Sequence, residues 1–358
     1  MSRLLLTGAT GFVGMELLVR LLEQTDREVV ALIRAGDDAA AAERLDGVLA
    51  LLLPPDQQPA PGRVRAVAAD LEQPGLGISE EAADALMADI ETVVHCAASV
   101  QFALPVEEAR KINVAGTASI LELAARAPKL VQLVHVSTAY VAGERDGRAF
   151  EHEGDVGQVP RNTYEQTKLE AETLVEASGL PAAILRPSIV VGDSRTGWTP
   201  AFNVIYWPLQ GFARGVLASV AADPEGHVDV VPVDAVADAL LELSGRRGQG
   251  GRFHVVAGDD APSCFELAEL AASAFGREPP PFVELGDDPG ADDAAGVFLP
   301  YFRVKTIFDG GEGAALAPPI PPLAEYFHAL MDYAREAKWG KNPVARWERG
   351  VPVAPAAA

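Results

Sequence analysis

The chain has 358 residues, 49% of them hydrophobic and 22% charged, which is enough for one large domain or two modest ones with real cores. A net charge of −22 and a pI near 4.6 disfavour a nucleic-acid partner, because its phosphates would be repelled. The cysteines, Cys96 and Cys264, lie far apart and outside any CxxC or Cys/His spacing, which argues against a disulfide framework. We therefore predict neither disulfides nor a metal site.

Membrane and targeting signals are weak. The longest apolar run, residues 48–53, is about a third of a membrane span, and the N-terminus enters a strand pattern without a basic segment or cleavage site. We expect no integral membrane segment and a reducing, cytoplasmic location.

Short continuous apolar runs alternate with helical patterns over the first two thirds of the chain. The runs are too continuous for strands with one face in water, so they predict buried parallel strands. They lie at Leu4–Leu6, Val29–Ile33, Val64–Ala68, Thr92–His95, Val131–Val136 and Ala182–Leu185. The helical patterns lie near residues 12–24, 38–52, 79–87, 106–126 and 162–177. This alternation predicts an α/β fold with a doubly wound parallel sheet.

The regular alternation of strand and helix patterns ends at about residue 190, and we predict a smaller C-terminal lobe over residues 191–358. Its predicted strands and helices are a helix within Thr199–Val220, a strand at His227–Val231, a helix at Val233–Ser244, a strand at Arg252–Val256, and helices at Ser263–Phe275 and Leu323–Lys338. The acidic loop Gly286–Asp293 predicts a solvated segment. The strands and the helix predicted at about 227–260 are expected to rejoin the domain formed by residues 1–190.

A glycine-rich turn follows the first predicted strand, with Gly8, Gly11 and Gly14 at a G-x-x-G-x-x-G spacing. Such a turn lets the backbone approach a pyrophosphate at the N-terminus of the next helix. Residues 1–190 are therefore predicted to be a Rossmann-type dinucleotide-binding domain. The predicted contacts in the turn are Gly8, Thr10, Gly11, Phe12, Val13 and Gly14.

The end of the second strand indicates which dinucleotide is bound. Proteins that bind NAD usually place Asp or Glu there for the ribose hydroxyls, whereas this chain has Arg34. A guanidinium suits the 2′-phosphate of NADP, and Arg44 could add a second contact. The alternative is that both arginines are solvated surface residues.

Tyr164 and Lys168 stand at an i, i+4 spacing near the start of a predicted helix, on one face a turn apart. A nearby ammonium favours the phenolate of a tyrosine and brings its pKa towards the working range of an acid–base catalyst. The strand that ends at Val136 brings the hydroxyls of Ser137 and Thr138 to the same carboxyl edge of the sheet.

Together these motifs resemble the extended short-chain dehydrogenase/reductases. The resemblance covers residues 3–260 and depends on residues 7–14, Asp70-Leu71, residues 95–98, residues 113–117, Tyr164 with Lys168, and residues 186–188. Residues 70–79, 136–141, 186–190, Gly197-Trp198 and 230–234 are similar to the branch that contains fatty acyl-CoA reductases and terminal thioester reductase domains.

The resemblance implies a role for each matching position. Thr138 matches the catalytic Ser/Thr, Tyr164 the proton donor, and Lys168 the residue that binds the ribose and lowers the tyrosine pKa. Asn113 matches the asparagine of the fourth helix. The remaining cofactor contacts that the resemblance implies are Asp70 and Leu71 at the adenine, Ala97 and Ala98 at the ribose and pyrophosphate, Ser137, and Pro187, Ser188, Ile189 and Val190 at the nicotinamide edge.

The implied activity is that of an NADPH-dependent reductase that transfers hydride to a carbonyl. The foremost substrate is an acyl thioester on CoA or an acyl carrier protein, which would give an aldehyde and, after a second transfer, an alcohol. Alternatives are an NADP-dependent ketone or aldehyde reductase, a sugar-nucleotide enzyme of the same superfamily, and a non-catalytic NADP-sensing protein, which the intact Thr138, Tyr164 and Lys168 disfavour.

The chain begins at its first strand, so a thioester is expected to arrive on a separate carrier, and the protein is expected to be a monomer or homodimer. With a net charge of −22, basic groups must border the entrance if it is to admit CoA or an acidic carrier. The candidates are Arg110, Lys111, Arg126, Lys129 and Arg214. Trp198 and Trp207 are predicted to pack in the core of the second lobe or to line an acyl pocket.

Overall fold

The computed structural model describes residues 2–283 and 296–350. Its strands are β1 (Arg3–Thr7), β2 (Glu28–Ile33), β3 (Val64–Ala68), β4 (Ile90–His95), β5 (Gln132–Val136), β6 (Gly147–Ala149), β7 (Ala182–Pro187), β8 (Ile189–Val191), β9 (Val230–Pro232), β10 (Gly251–Val255) and β11 (Thr306–Phe308). Its α-helices are α1 (Phe12–Gln24), α2 (Asp38–Leu52), α3 (Glu80–Met87), α4 (Val106–Arg110), α5 (Gly116–Ala125), α6 (Thr163–Ala177), α7 (Tyr206–Ala213), α8 (Val233–Gly245), α9 (Cys264–Phe275) and α10 (Leu323–Glu336).

Seven parallel strands form the main sheet, in the order β3-β2-β1-β4-β5-β7-β10. Every strand predicted over residues 1–190 lies in it. The prediction of a buried strand was wrong for β3, which lies at the edge of the sheet, is only partly buried and exposes Arg65. Strand order reverses between β1 and β4. The crevice at their carboxyl ends is the usual ligand site of an open α/β sheet, and this confirms the predicted doubly wound fold.

The helix predicted over residues 106–126 is interrupted. It consists of α4, a π-helical turn at Lys111–Ala115, and α5. Single π turns inside α-helices are frequent at functional sites. Here the turn contains Asn113, which is buried.

The second lobe is built around two short parallel strand pairs, β8 with β9 and β6 with β11, and the helices α7, α9 and α10. Its core includes Tyr206, Phe212, Phe327 and Leu330. Helix α9 begins at a capping box, in which the Ser263 side chain accepts from the Glu266 backbone N–H and Glu266 accepts from Ser263 in return.

The helix predicted within Thr199–Val220 forms at Tyr206–Ala213. Val204 has a φ of +45°, and Gly215 a φ of +72°, so the backbone leaves the helical region on both sides. Trp198 is buried, and its indole N–H donates to the Val344 carbonyl at 2.9 Å. Trp207 is 52% exposed, so the expectation that it packs in the core was wrong.

The strand predicted at His227–Val231 forms at Val230–Pro232 instead, whereas the helix predicted at Val233–Ser244 and the strand predicted at Arg252–Val256 lie within a residue of the observed α8 and β10. Strand β10 joins the main sheet beside β7, and α8 packs against α1. The chain therefore returns to the main sheet after residue 250. The acidic loop Gly286–Asp293 lies outside the described residues.

Candidate active site

The loop after β1 lies directly against the loop after β4. Gly8 has a φ of +76°, and a Cβ there would come within 2.8 Å of the Ala97 backbone nitrogen. A Cβ on Gly14 would lie 2.1 Å from the Gly8 carbonyl oxygen, so α1 can pack on the turn only without a side chain. Thr10 lies in this turn, and Phe12 and Val13 begin α1.

This loop fits the pyrophosphate of a dinucleotide. Gly11 is the N-cap of α1, no side chain caps the helix, and its first turn contains no acidic residue. The backbone N–H groups and the positive end of the helix dipole are therefore available to an anion. Ala97 and Ala98 follow β4 on the facing side of the crevice.

The loops after β2 and β3 form the next part of this edge. Arg34 is 73% exposed, with one guanidinium nitrogen 3.9 Å from a Glu72 carboxylate oxygen. Arg44 donates to the Arg34 carbonyl, which fixes the backbone of that loop. The Asp70 carboxylate accepts from the Glu72 N–H at 3.1 Å, and Leu71 packs against Gly116, where a Cβ would lie 3.0 Å from the Leu71 Cβ.

Two carboxylates near Arg34 are already bound to backbone groups. Asp37 caps α2 by accepting from the Ala40 N–H at 2.8 Å, and Asp38 accepts from the Ala68 N–H at 2.8 Å. Each carboxylate therefore has one oxygen that is engaged by a backbone N–H group and stabilises the local backbone.

Thr138 and Tyr164 are brought together by the loop after β5 and the start of α6. Thr138 accepts from the Tyr140 N–H at 3.2 Å, and its side chain lies near enough to Tyr164 to lower the pKa of that phenol. Asn162 caps α6 by accepting from the Glu165 N–H at 3.0 Å, which fixes the first turn of the helix and the position of Tyr164 within it.

The pKa of Tyr164 is raised above its usual value by burial and by the nearby Glu165 carboxylate, while the neighbouring Thr138 side chain opposes the rise. The phenol is therefore protonated at neutral pH, as a proton donor must be. Lys168 lies one turn further on, and its ammonium donates to the Val136 carbonyl at 2.6 Å.

Asn113 ties the loop after β4 to α6. Its side-chain amide donates to the Ser99 carbonyl and the Thr167 hydroxyl, both at 3.0 Å, and its carbonyl accepts from the Ser99 N–H at 2.8 Å. Asn113 therefore contacts the residue next to Lys168 in the chain.

The remaining predicted contacts lie at the ends of β5 and β7. Ser137 is 3% exposed, and its hydroxyl has no hydrogen-bond partner among the described residues. Pro187, Ser188, Ile189 and Val190 cross from β7 into β8, where the Ser188 N–H donates to the Val255 carbonyl at 3.0 Å.

An aromatic cluster beside Tyr164 was not predicted from the sequence. The Phe102 ring lies 5.6 Å from the Tyr164 ring and stacks on Tyr301 at 5.1 Å, while Tyr140 meets Tyr301 edge to face at 4.9 Å. Phe298 contacts the other side of Phe102 at 5.5 Å. These rings form an apolar wall beside Tyr164, and they come from distant parts of the chain.

Other chemistry has little support in the described part of the chain. No group of three or more His, Cys, Asp or Glu side chains there is placed to hold a metal ion. Burial raises the pKa of the Cys96 thiol to about 12, so this cysteine is protonated and a poor nucleophile at neutral pH. None of the described helices has the length and apolar composition to span a bilayer.

Known proteins share this sequence and fold. Residues 6–240 match the NAD_binding_4 family, described as Male sterility protein. A linear gramicidin synthase component from Brevibacillus parabrevis is 35% identical over 67% of the chain and 5% of its own length. Fatty acyl-CoA reductase 1 from Xenopus laevis is 32% identical over 67% of the chain and 54% of its own length.

A solved structure, the terminal R domain of the myxalamid PKS-NRPS biosynthetic pathway, superposes with a TM-score of 0.80 and 29% identity. The match covers 96% of this chain and 92% of that domain. The chain thus spans about half or less of the two curated relatives, but nearly all of this domain.

Fold, motifs and comparisons agree on an oxidoreductase of the short-chain dehydrogenase/reductase type that uses a nicotinamide cofactor. Within that class, the chain belongs to the male sterility protein family, in the thioester reductase branch of the extended enzymes.

Proposed function

We propose that this protein is an NADPH-dependent reductase of acyl thioesters. The proposal rests on one observation above the others: the side chains of Thr138 and Tyr164 lie close together beside an apolar aromatic wall, at the sheet edge where the glycine turn would hold the cofactor. The fatty acyl-CoA reductase and the terminal R domain to which the chain is similar support the choice of thioester.

The chemistry follows from the positions of these groups. A bound reduced nicotinamide nucleotide supplies hydride. Tyr164 donates its proton to the carbonyl oxygen as negative charge develops there, and Thr138 stabilises the same oxygen by a hydrogen bond. The resulting thiohemiacetal collapses to an aldehyde and a free thiol. A second reduction at the same residues, with hydride from a second NADPH and a proton from Tyr164 after it has been reprotonated, would give the alcohol.

The preference for NADPH is supported by the loop after β2. Asp37 and Asp38 already bind backbone N–H groups, so the exposed Arg34 guanidinium is the group in this loop best suited to a 2′-phosphate. Glu72 lies close enough to compete for Arg34, so the contribution of Arg34 is expected to be modest.

Delivery of the acyl group on CoA or an acyl carrier protein requires basic groups that are not already paired with carboxylates. Arg110, Arg126 and Lys129, which we expected near the entrance, form ion pairs with Glu170, Asp84 and Asp89, respectively. Arg214 is exposed at the end of α7, the helix that carries the exposed Trp207. It is therefore our first candidate for contact with a phosphorylated pantetheine arm.

The experiment measures NADPH oxidation with an acyl-CoA, the matching free aldehyde and a ketone, and identifies products by mass spectrometry. We expect turnover of the acyl-CoA to aldehyde or alcohol. Tyr164→Phe should lose about a hundredfold or more in kcat while it still binds NADPH.

Tyr333→Phe is the matched control, because its hydroxyl lies against the Val344 carbonyl in the second lobe. Turnover of the ketone or aldehyde alone would establish a carbonyl reductase instead. Cofactor binding without turnover of any substrate would favour a sensor.

A further inference from the structure

Two buried histidines lie beneath the catalytic lysine. Lys168 is 2% exposed, and its ammonium contacts Nε2 of His135 at 3.2 Å as well as the Val136 carbonyl at 2.6 Å. His135 is fully buried in the penultimate position of β5. Its ring centroid lies 5.3 Å from that of His95, at the end of β4.

The contact fixes the tautomer of His135. An ammonium has three donors and no acceptor, so Nε2 must be unprotonated and must accept. The proton of the neutral ring is then on Nδ1, which has no hydrogen-bond partner among the described residues. Burial and the Lys168 charge hold the pKa of His135 well below its usual value, so the ring remains a neutral acceptor at working pH.

The second histidine is fixed by two threonines. The Thr117 hydroxyl donates to the Asn113 carbonyl at 2.6 Å and can therefore accept from His95 Nε2, which lies 3.2 Å away. His95 Nδ1 then accepts from the Thr7 hydroxyl at 2.7 Å. With its nitrogens held at both ends, His95 gives His135 a rigid neighbour.

We propose that His135 is a positioning residue for Lys168: its Nε2, with the Val136 carbonyl, fixes the ammonium and leaves one N–H for a cofactor hydroxyl. This inference rests on the proposed function, because Lys168 matters only if Tyr164 and the cofactor react beside it. His135 itself need not touch substrate or cofactor.

The electrostatic surroundings make this acceptor important. Burial lowers the pKa of Lys168 to about 8, and the Glu172 carboxylate on α6 opposes this; the Cys96 thiol after β4 is neutral in this pH range. The other titratable groups around it are the neutral His135 and His95 and the protonated Tyr164. Loss of an acceptor should therefore lower the pKa of Lys168 further, because the ammonium would lose one of its two protein partners.

The test compares three substitutions at one position. His135→Gln places a carbonyl oxygen near the position of Nε2, His135→Asn reaches only as far as Nδ1, and His135→Phe keeps the ring volume without an acceptor. His254→Phe is the control, since His254 is another buried histidine, whose Nδ1 contacts the Asp309 carbonyl at 2.7 Å. For each protein, the melting temperature and the pH dependence of kcat/KM are measured.

We expect His135→Phe and His135→Asn to lose about tenfold or more in kcat/KM at pH 8. In both variants the alkaline limb of the pH profile of kcat/KM should move to a pH lower by about one unit. His135→Gln should remain within about threefold of wild type, and His254→Phe should not move the limb. Equal losses in all three His135 variants, or an unchanged limb in His135→Phe, would show that His135 only fills space and would overturn the proposal.

An NMR titration tests the inference without turnover. The chain has six lysines, so labelling of the lysine Cε carbons gives a simple spectrum, and the resonance lost in Lys168→Ala identifies Lys168. A lower pKa of this resonance in His135→Phe, restored in His135→Gln, would support the inference even if no thioester were reduced. The same pKa in every His135 variant would overturn it, even in an active thioester reductase.

Discussion

Gly11→Ala separates cofactor binding from folding more cleanly than any other change in the glycine turn. Gly11 has φ −95° and ψ 165°, which an alanine adopts without strain. It is exposed, and a Cβ there would meet only the Gly8 carbonyl oxygen, at 3.3 Å. We therefore expect the free energy of unfolding to change by about 0.5 kcal/mol or less.

The effect on the cofactor should be larger. The new methyl group would stand at the N-cap of α1, where a pyrophosphate must approach the backbone closely. An extra methyl group in a well-packed contact costs about 1–3 kcal/mol. At about 1.4 kcal/mol per factor of ten, the NADPH affinity should fall by roughly five- to 150-fold.

The assay is titration of NADPH by calorimetry, with urea unfolding of the same samples. Gly47→Ala is the control, because Gly47 lies in α2 with nothing within 4 Å of the position that a Cβ would take, and alanine there should leave the affinity unchanged. An affinity within twofold of wild type in Gly11→Ala would refute the assignment of this turn to the pyrophosphate. A loss of affinity matched by an equal loss of stability would refute the claim that the turn acts on the cofactor directly.

Four further substitutions test other parts of the site. Arg34→Ala should weaken NADPH binding by about three- to thirtyfold and leave NADH binding within twofold, and equal effects on both cofactors would exclude a 2′-phosphate contact. Phe102→Ala should raise KM for a long-chain acyl-CoA by about tenfold but hardly change that for acetyl-CoA; equal changes would argue against an acyl wall. Arg214→Glu should raise KM for an acyl-CoA more than for the free aldehyde, with a penalty that shrinks as salt rises, and equal effects would count against docking there. Arg186→Met should lower the free energy of unfolding by about 3–5 kcal/mol, because Glu172, whose carboxylate lies 2.5 Å from the guanidinium, would stay buried without its main partner; a loss below about 1 kcal/mol in urea unfolding would contradict this.

Local sequence determined the elements of the main sheet and the places where chemistry could occur. Buried parallel strands must be apolar throughout, so their positions are visible in the chain, and the Gly8 turn is visible because only glycine suits a φ of +76° with backbone so close. The i, i+4 spacing of Tyr164 and Lys168 is a property of one helix and needs no tertiary information. The second lobe was less predictable from the sequence. Trp207 has a large apolar side chain of the kind usually found in cores, and it is nevertheless exposed.

Contacts between distant segments were decided by the tertiary structure alone. Phe102 and Tyr301 are separated by most of the chain, and nothing in their local patterns indicates that their rings stack beside Tyr164. The same holds for His135, which looks like an ordinary strand residue until α6 places the Lys168 ammonium 3.2 Å from its ring. The sequence encodes local conformation through short-range sterics and periodic burial, whereas partners across the sheet depend on how all the elements pack at once.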